Sequence, residues 1–218
     1  MNESNGLKIL ITGAGGYVGS QLVPALLELG YHVIALDTFW YGIHVFDELI
    51  PNENLKIVHE DLRNTQNLMH YLKGVQVVIH LACISNDPSF DMDPKLGKSI
   101  NLDSFHPLVL AAKESGVERF IYASSSSVYG VKEEQKVTED LTLEPLTDYS
   151  RFKMQCEEIL LSETSGSFIG TILRPATVCG FSIRQRFDLS VNILTNHAIT
   201  NSQVLVFGGS QHRPNIHI

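Results

Sequence analysis

Tyr149 and Lys153 stand four residues apart in "DYSRFK", residues 148–153, and no other tyrosine in the chain has a lysine at that spacing. In a helix the two side chains share one face. A phenol beside an ammonium can exchange a proton with a bound alcohol. The same spacing also makes an ordinary amphipathic turn, and the surroundings decide between the two. Upstream, "ASSSSVYG" at 123–130 gathers four hydroxyls. Serines suit turns and caps, but a hydroxyl placed here can also bond a substrate oxygen. Near the N-terminus, "TGAGGYVGS" spaces Gly13, Gly16 and Gly19 as G-x-x-G-x-x-G. Such glycines let the backbone turn tightly and approach a pyrophosphate, and a following helix offers N–H groups and the positive end of its dipole. Asp37 lies 24 residues after Gly13. A carboxylate there can accept hydrogen bonds from an adenosine ribose and would repel the 2′-phosphate of NADP. No Arg or Lys occurs in the "TFWYG" that follows, which points to NAD. Asp61 and Leu62 could line an adenine pocket or form a solvated turn.

These residues need elements to hold them. Short apolar runs at 7–12, 32–37, 55–60, 75–82, 119–125, 168–174 and 204–207 read as strands. Helical spacing covers 17–29, 99–114, 149–163 and 188–200, with Gly30 and Gly116 as natural helix ends. Apolar strands alternating with helices define an α/β protein with a Rossmann-type, doubly wound parallel sheet. Residues 83–97 and 130–147 resist regular structure. Both follow strand C-termini, where open α/β sheets hold ligands.

The bulk properties remove several alternatives. With 44% hydrophobic and 18% charged residues in 218, the chain is globular and suits one domain, or one domain plus a fragment. Its net charge of −8 and lack of a basic run argue against nucleic acid or an anionic membrane as partner. Cys83, Cys156 and Cys179 have no metal-type spacing, and the nine histidines form no HExxH pattern, so no metal is expected. No apolar run reaches the ~18 residues of a membrane span. "MNESNG" lacks a basic leader. The expected location is cytoplasmic.

Taken together, "TGAGGYVG", Asp37, "HLA", Asn101, "SSSSVYG", "YSRFK", "LRPATV" and "RPNIHI" resemble the extended short-chain dehydrogenase/reductase family, in its NAD-dependent nucleotide-sugar epimerase/dehydratase branch. The resemblance runs from residue 8 to 218 and settles the opening ambiguity in favour of catalysis. It implies that Tyr149 is the general base. A free tyrosine has a pKa of ~10, so Lys153 and the positive nicotinamide ring must favour the phenolate. Lys153 would also bind the nicotinamide ribose. Ser125 falls on the family's Ser/Thr position and would bond the sugar oxygen. The resemblance further implies that Gly13, Gly16, Tyr17, Val18, Gly19, Asp37, Asp61, Leu62, Leu81, Ala82 and Asn101 surround the cofactor. Ser85, Asn86, Ser126, Arg186, Asn192 and the phosphate-binding Arg213 would meet a nucleotide-diphosphate sugar.

Some positions depart from the family. Ser126 and Ser127 stand where 4,6-dehydratases carry an Asp-Glu pair, which disfavours dehydration. Asp148 replaces the frequent Pro before the tyrosine, and either perturbs Tyr149 or caps the helix. "VCG" at 178–180 replaces Val-Tyr-Gly. The expected organisation is a cofactor domain at 1–175 and a partial substrate lobe at 176–218 that looks truncated beside the family. The leading expectation is a 4-epimerase. A nucleotide-sugar reductase or dehydrogenase, or a silent NAD-binding module, remain as alternatives. By resemblance, a homodimer would form a four-helix bundle from 99–114 and 149–163.

Overall fold

The computed structural model describes residues 6–85 and 92–218. Six strands form one parallel sheet: β1 (Lys8–Thr12), β2 (His32–Asp37), β3 (Leu55–His59), β4 (Val77–His80), β5 (Arg119–Ala123) and β6 (Ile169–Leu173). Their spatial order is β3-β2-β1-β4-β5-β6. The first strand lies inside the sheet, so the order reverses between β1 and β4. A crevice opens there at the strands' C-terminal ends. β1 is in register with β2 on one side (Ile11 with Ala35) and β4 on the other (Ile11 with Ile79). Ile9, Leu10 and Ile11 are all buried, as a strand covered on both faces requires.

Helices cover the two faces: α1 (Gly19–Glu28), α2 (Thr65–Leu72), α3 (Pro94–Lys98), α4 (Phe105–Glu114) and α5 (Asp148–Glu163). One apolar cluster joins Leu10, Leu36, Phe105, Phe120, Tyr122 and Leu160; a second joins Ile9, Ile11, Val23, Val33 and Phe46. The sheet separates them.

Residues 99–114 do not form one regular helix. Ser99–Asp103 is a π-helical turn and α4 follows it. The wider turn leaves the Asn101 carbonyl to accept the Cys156 thiol at 3.2 Å.

Beyond Leu173 the chain forms a separate two-stranded parallel sheet, β7 (Thr177–Cys179) with β8 (Asn215–His217), and a helix, α6 (Ser190–Asn201). The strand expected at 204–207 is absent. "VLVF" has no paired neighbour among the described residues, and Phe207 is 84% exposed. An apolar run becomes a strand only where a ladder can receive it. β7 and β8, three residues each, were too short for periodicity to reveal.

Candidate active site

The glycine loop joins β1 to α1. Gly13 has φ +73°, and a side chain there would meet the Ala82 nitrogen at 2.6 Å. Gly19 is closed by the Gly13 and Ala14 carbonyls. A Cβ on Gly16 would meet only the Gly13 carbonyl, at 3.1 Å. The loop is therefore pressed against the end of β4 and leaves bare backbone along one wall of the crevice. Asp37 shapes its rim: Oδ2 accepts from Gly15 N at 3.0 Å and Oδ1 from Phe39 N at 2.7 Å. Asp61 is gripped by the Arg63 guanidinium, which holds its carboxyl below the usual range. Gly13, Gly16, Tyr17, Val18, Gly19, Asp37, Asp61, Leu62, Leu81 and Ala82 all line one cleft of about 2450 Å³. That exceeds the ~300–1,000 Å³ of a drug-sized site. It leaves room for a dinucleotide and a second ligand.

The same cleft reaches Ser125, Tyr149 and Lys153. Thr147, not Asp148, caps α5. Its hydroxyl accepts from Ser150 N at 3.2 Å, and Ser150 Oγ accepts from Thr147 N at 3.0 Å. Asp148 instead pairs with Arg151 at 2.5 Å on the exposed side. The helix then stacks Tyr149, Lys153 and Glu157 on one face. Lys153 is 5% exposed. Its Nζ donates to the Ala123 carbonyl at 2.7 Å and lies 4.9 Å from the Tyr122 ring and 5.8 Å from the Tyr149 ring. Burial opposes the charge of Lys153. Cys83, Tyr149 and Cys156 outweigh it, so its pKa lies above the usual lysine value. Burial dominates at Tyr149 and raises its pKa; Lys153 pulls it back, followed by Arg186 and the Ser125 hydrogen bond. Beneath them His80 is fully buried and neutral. Desolvation carries its pKa to about 3, and it shares a 2.7 Å hydrogen bond with Thr12 Oγ1.

Ser125 follows β5 and caps the 3₁₀ turn Ser126–Tyr129. Its oxygen accepts from Ser127 N at 3.2 Å and from Ser127 Oγ at 2.9 Å. With both lone pairs engaged, its proton is what it offers to the phenol or a ligand. Ser126 also lines the cleft, and its nitrogen donates to the Pro175 carbonyl at 3.0 Å.

Behind the site, the buried Glu157 receives Arg174 at 2.7 Å and the Ser124 hydroxyl. Arg174 reaches on to Tyr129 Oη at 2.8 Å. This network ties α5, β6 and the serine turn. The sequence offered one sign of it: Glu157 repeats the four-residue step from Tyr149 to Lys153.

Arg186 enters from the far wall. It pairs with Asp188 at 2.5 Å and donates to Ser85 Oγ at 2.8 Å. Arg213 lines the cleft on the exposed C-terminal stretch. Asn101 does not line the cleft. Its amide is spent on Ile84, accepting from its nitrogen at 2.8 Å and donating to its carbonyl at 2.9 Å. Asn192 likewise saturates on Gly180 N, Tyr17 Oη and the Arg186 carbonyl. Asn86 lies outside the described residues. Among the described residues, no group of three or more His, Cys, Asp or Glu could hold a metal ion. None of their helices is long and apolar enough to cross a membrane.

Fold and site together define a doubly wound dinucleotide-binding α/β protein with a Ser–Tyr–Lys centre. More narrowly, residues 9–218 match the model of the NAD dependent epimerase/dehydratase family, and the chain belongs to that family. It is 33% identical over 216 residues to YtcB of Bacillus subtilis (strain 168), named an uncharacterized UDP-glucose epimerase, covering 94% of this chain and 66% of that protein. It is 27% identical to a UDP-glucose 4-epimerase of Lactobacillus helveticus, covering 81% of this chain and 53% of that one. The crystal structure of the Bacillus cereus UDP-glucuronic acid 4-epimerase, in complex with UDP-glucuronic acid and NAD, superposes with TM-score 0.86 at 32% identity. It covers 97% of this chain and 69% of the other. The chain thus spans less than two thirds of the length of these two curated relatives.

Proposed function

We propose that this chain carries the cofactor and catalytic portion of an NAD-dependent nucleotide-sugar 4-epimerase. One observation carries the reading: Ser125, Tyr149 and Lys153 converge on the cleft that also holds the glycine loop and Asp37. The bare loop backbone and the rim carboxylate fit a dinucleotide without a 2′-phosphate. NAD, when bound, supplies the hydride acceptor and donor for the sugar carbon. Tyr149 takes the proton of the sugar hydroxyl and later returns it. Lys153 favours the phenolate by its charge. Ser125 donates to the sugar oxygen and holds it against the phenol. Ser126 and Ser127 lack a titratable group, which supports epimerisation over 4,6-dehydration.

Arg186 supports a narrower substrate class. A cation near Tyr149 suits a sugar bearing an anionic group, such as the UDP-glucuronic acid bound by the B. cereus relative. Arg213 would meet the diphosphate. We propose further the division at 175/176, a homodimer through 99–114 and 149–163, and a reducing, cytoplasmic setting, the last supported by three free cysteines.

Tyr149→Phe tests the reading. Single-turnover absorbance with UDP-sugars, on this chain and on a version extended to its relatives' length, should show hydride transfer slowed by about 10²–10⁴. NAD affinity should stay nearly intact. An unchanged rate in an active enzyme would return Tyr149 and Lys153 to an ordinary helical turn. Net consumption of cofactor, rather than conversion without it, would identify a dehydrogenase.

A further inference from the structure

Tyr17 occupies the glycine loop, and its side chain leaves it. The phenol donates to the Gly180 carbonyl at 2.7 Å and accepts from Asn192 Nδ2 at 3.2 Å. The Tyr17 carbonyl accepts from Ser182 Oγ at 2.8 Å, and that hydroxyl meets Ser20 Oγ at 2.8 Å. Asn192 closes the ring by accepting from Gly180 N at 3.0 Å and donating to the Arg186 carbonyl at 2.9 Å. Tyr17, Ser20, Ser182 and Asn192 are all at most 7% exposed. Their sequence separations run from 162 to 175 residues. A second tie lies nearby, where the Arg184 guanidinium stacks 3.6 Å from the Tyr41 ring, beyond the end of β2.

The loop that would cradle a pyrophosphate and the segment that carries Arg186 are thus joined through Tyr17, by its phenol to Gly180 and Asn192 and by its carbonyl to Ser182. Apolar packing alone would not need a hydroxyl at residue 17. A buried hydroxyl with two polar partners is directional, and losing it leaves the Gly180 carbonyl with only the longer 3.3 Å bond from Gln185 Nε2, and Asn192 Nδ2 with only the Arg186 carbonyl.

We propose that Tyr17 is a positioning residue that couples occupancy of the dinucleotide loop to the order of residues 180–192, and through them to Arg186. The coupling rests on the NAD-binding reading above. A ligand that fixes the loop backbone also fixes the Tyr17 carbonyl and ring, and so stabilises the segment hydrogen-bonded to both. The coupling is reciprocal, so the segment in turn supports the closed loop.

Hydrogen exchange measured by mass spectrometry on this chain, with and without NAD, tests the coupling. Titration calorimetry supplies affinities separately. In the wild type, NAD should slow exchange of amides in 180–192 by about two- to tenfold, the worth of a net hydrogen bond. In Tyr17→Phe, NAD should still bind with an affinity within about tenfold of wild type. It should still protect the glycine loop, while its effect on 180–192 falls to about half or less, the part that the Ser182 bond to the Tyr17 carbonyl still carries. Lys153→Met serves as the contrast: it should weaken NAD binding, yet at saturating NAD the protection of 180–192 should remain. Undiminished NAD-dependent protection of 180–192 in Tyr17→Phe would overturn the coupling. So would wild-type protein that binds NAD without protecting that segment. Wild-type protein giving no NAD-binding heat would overturn the cofactor reading itself, and the coupling with it.

Discussion

The six-stranded sheet and the segment after β6 are built by different means. In the first, the residues that face the cleft are consequences of burial. Lys153 is held between Tyr122 and the end of β5, Gly13 is jammed against Ala82, and behind them Glu157 is sealed under Arg174. In the second, Phe181, Ile199, Val206 and Phe207 all stand open to solvent, and order comes from a few polar ties such as Tyr17 with Gly180. Function follows that contrast. Under the proposed function, proton and hydride chemistry would fall where packing over-determines the groups, and substrate contact on the segment with fewer constraints.

The contrast can be broken at measurable points. Arg174→Met should have the largest effect. It strands a carboxylate whose side chain is 3% exposed, and should cost about 3–5 kcal/mol in urea unfolding. A loss below about 1 kcal/mol, within the worth of an exposed pair, would mean that the Glu157 network does not hold α5. Gly19→Ala comes next. Its Cβ would press on the Gly13 and Ala14 carbonyls, with a cost of about 1–3 kcal/mol and weakened NAD binding. Gly166→Ala is its control, because a Cβ there meets nothing within 4 Å and both measurements should hold. Asp37→Ala should weaken NAD binding about tenfold, and weaken NADP binding less. Equal losses would assign Asp37 to holding Gly15 and Phe39 rather than to a ribose. Phe207→Ser should have the least effect, within about 0.5 kcal/mol of wild type by the same unfolding measurement. A larger loss would show that the exposed stretch is packed after all.

Legibility in the sequence follows the same division. The six parallel strands announce themselves as apolar runs, most clearly β1 and β2, which are buried on both faces; the edge strands β3 and β6 are only partly covered. Gly13, Gly16, Gly19, Asp37, Ser125, Tyr149 and Lys153, singled out because each residue type answers a local chemical need, all line the one cleft. Elements set by partners distant in the chain stayed hidden. Thr147 caps α5 through Ser150, where Asp148 was an equally good candidate by residue type. Asn101 and Asn192 looked available for ligands until their amides were found spent on Ile84, Gly180 and Tyr17. "VLVF" has strand composition and no ladder to join. Nothing in local pattern could reveal that the Tyr17 hydroxyl bonds Gly180 and Asn192.

The π turn at Ser99–Asp103 fixes a chain length as well as a set of residue types. It inserts one residue of phase between α3 and α4, and each residue of a helix advances it by about 100°. Deleting one residue from this turn would restore an unbroken α-helix and leave Phe105, Leu108, Val109 and Ala112 facing the core. Everything upstream would rotate by that angle, carrying the Asn101 amide off Ile84 and releasing the strand end where Cys83 and Ser85 reach the cleft. This turn holds the helix in its reading frame, and an insertion or deletion there would act on the active site as a point substitution does.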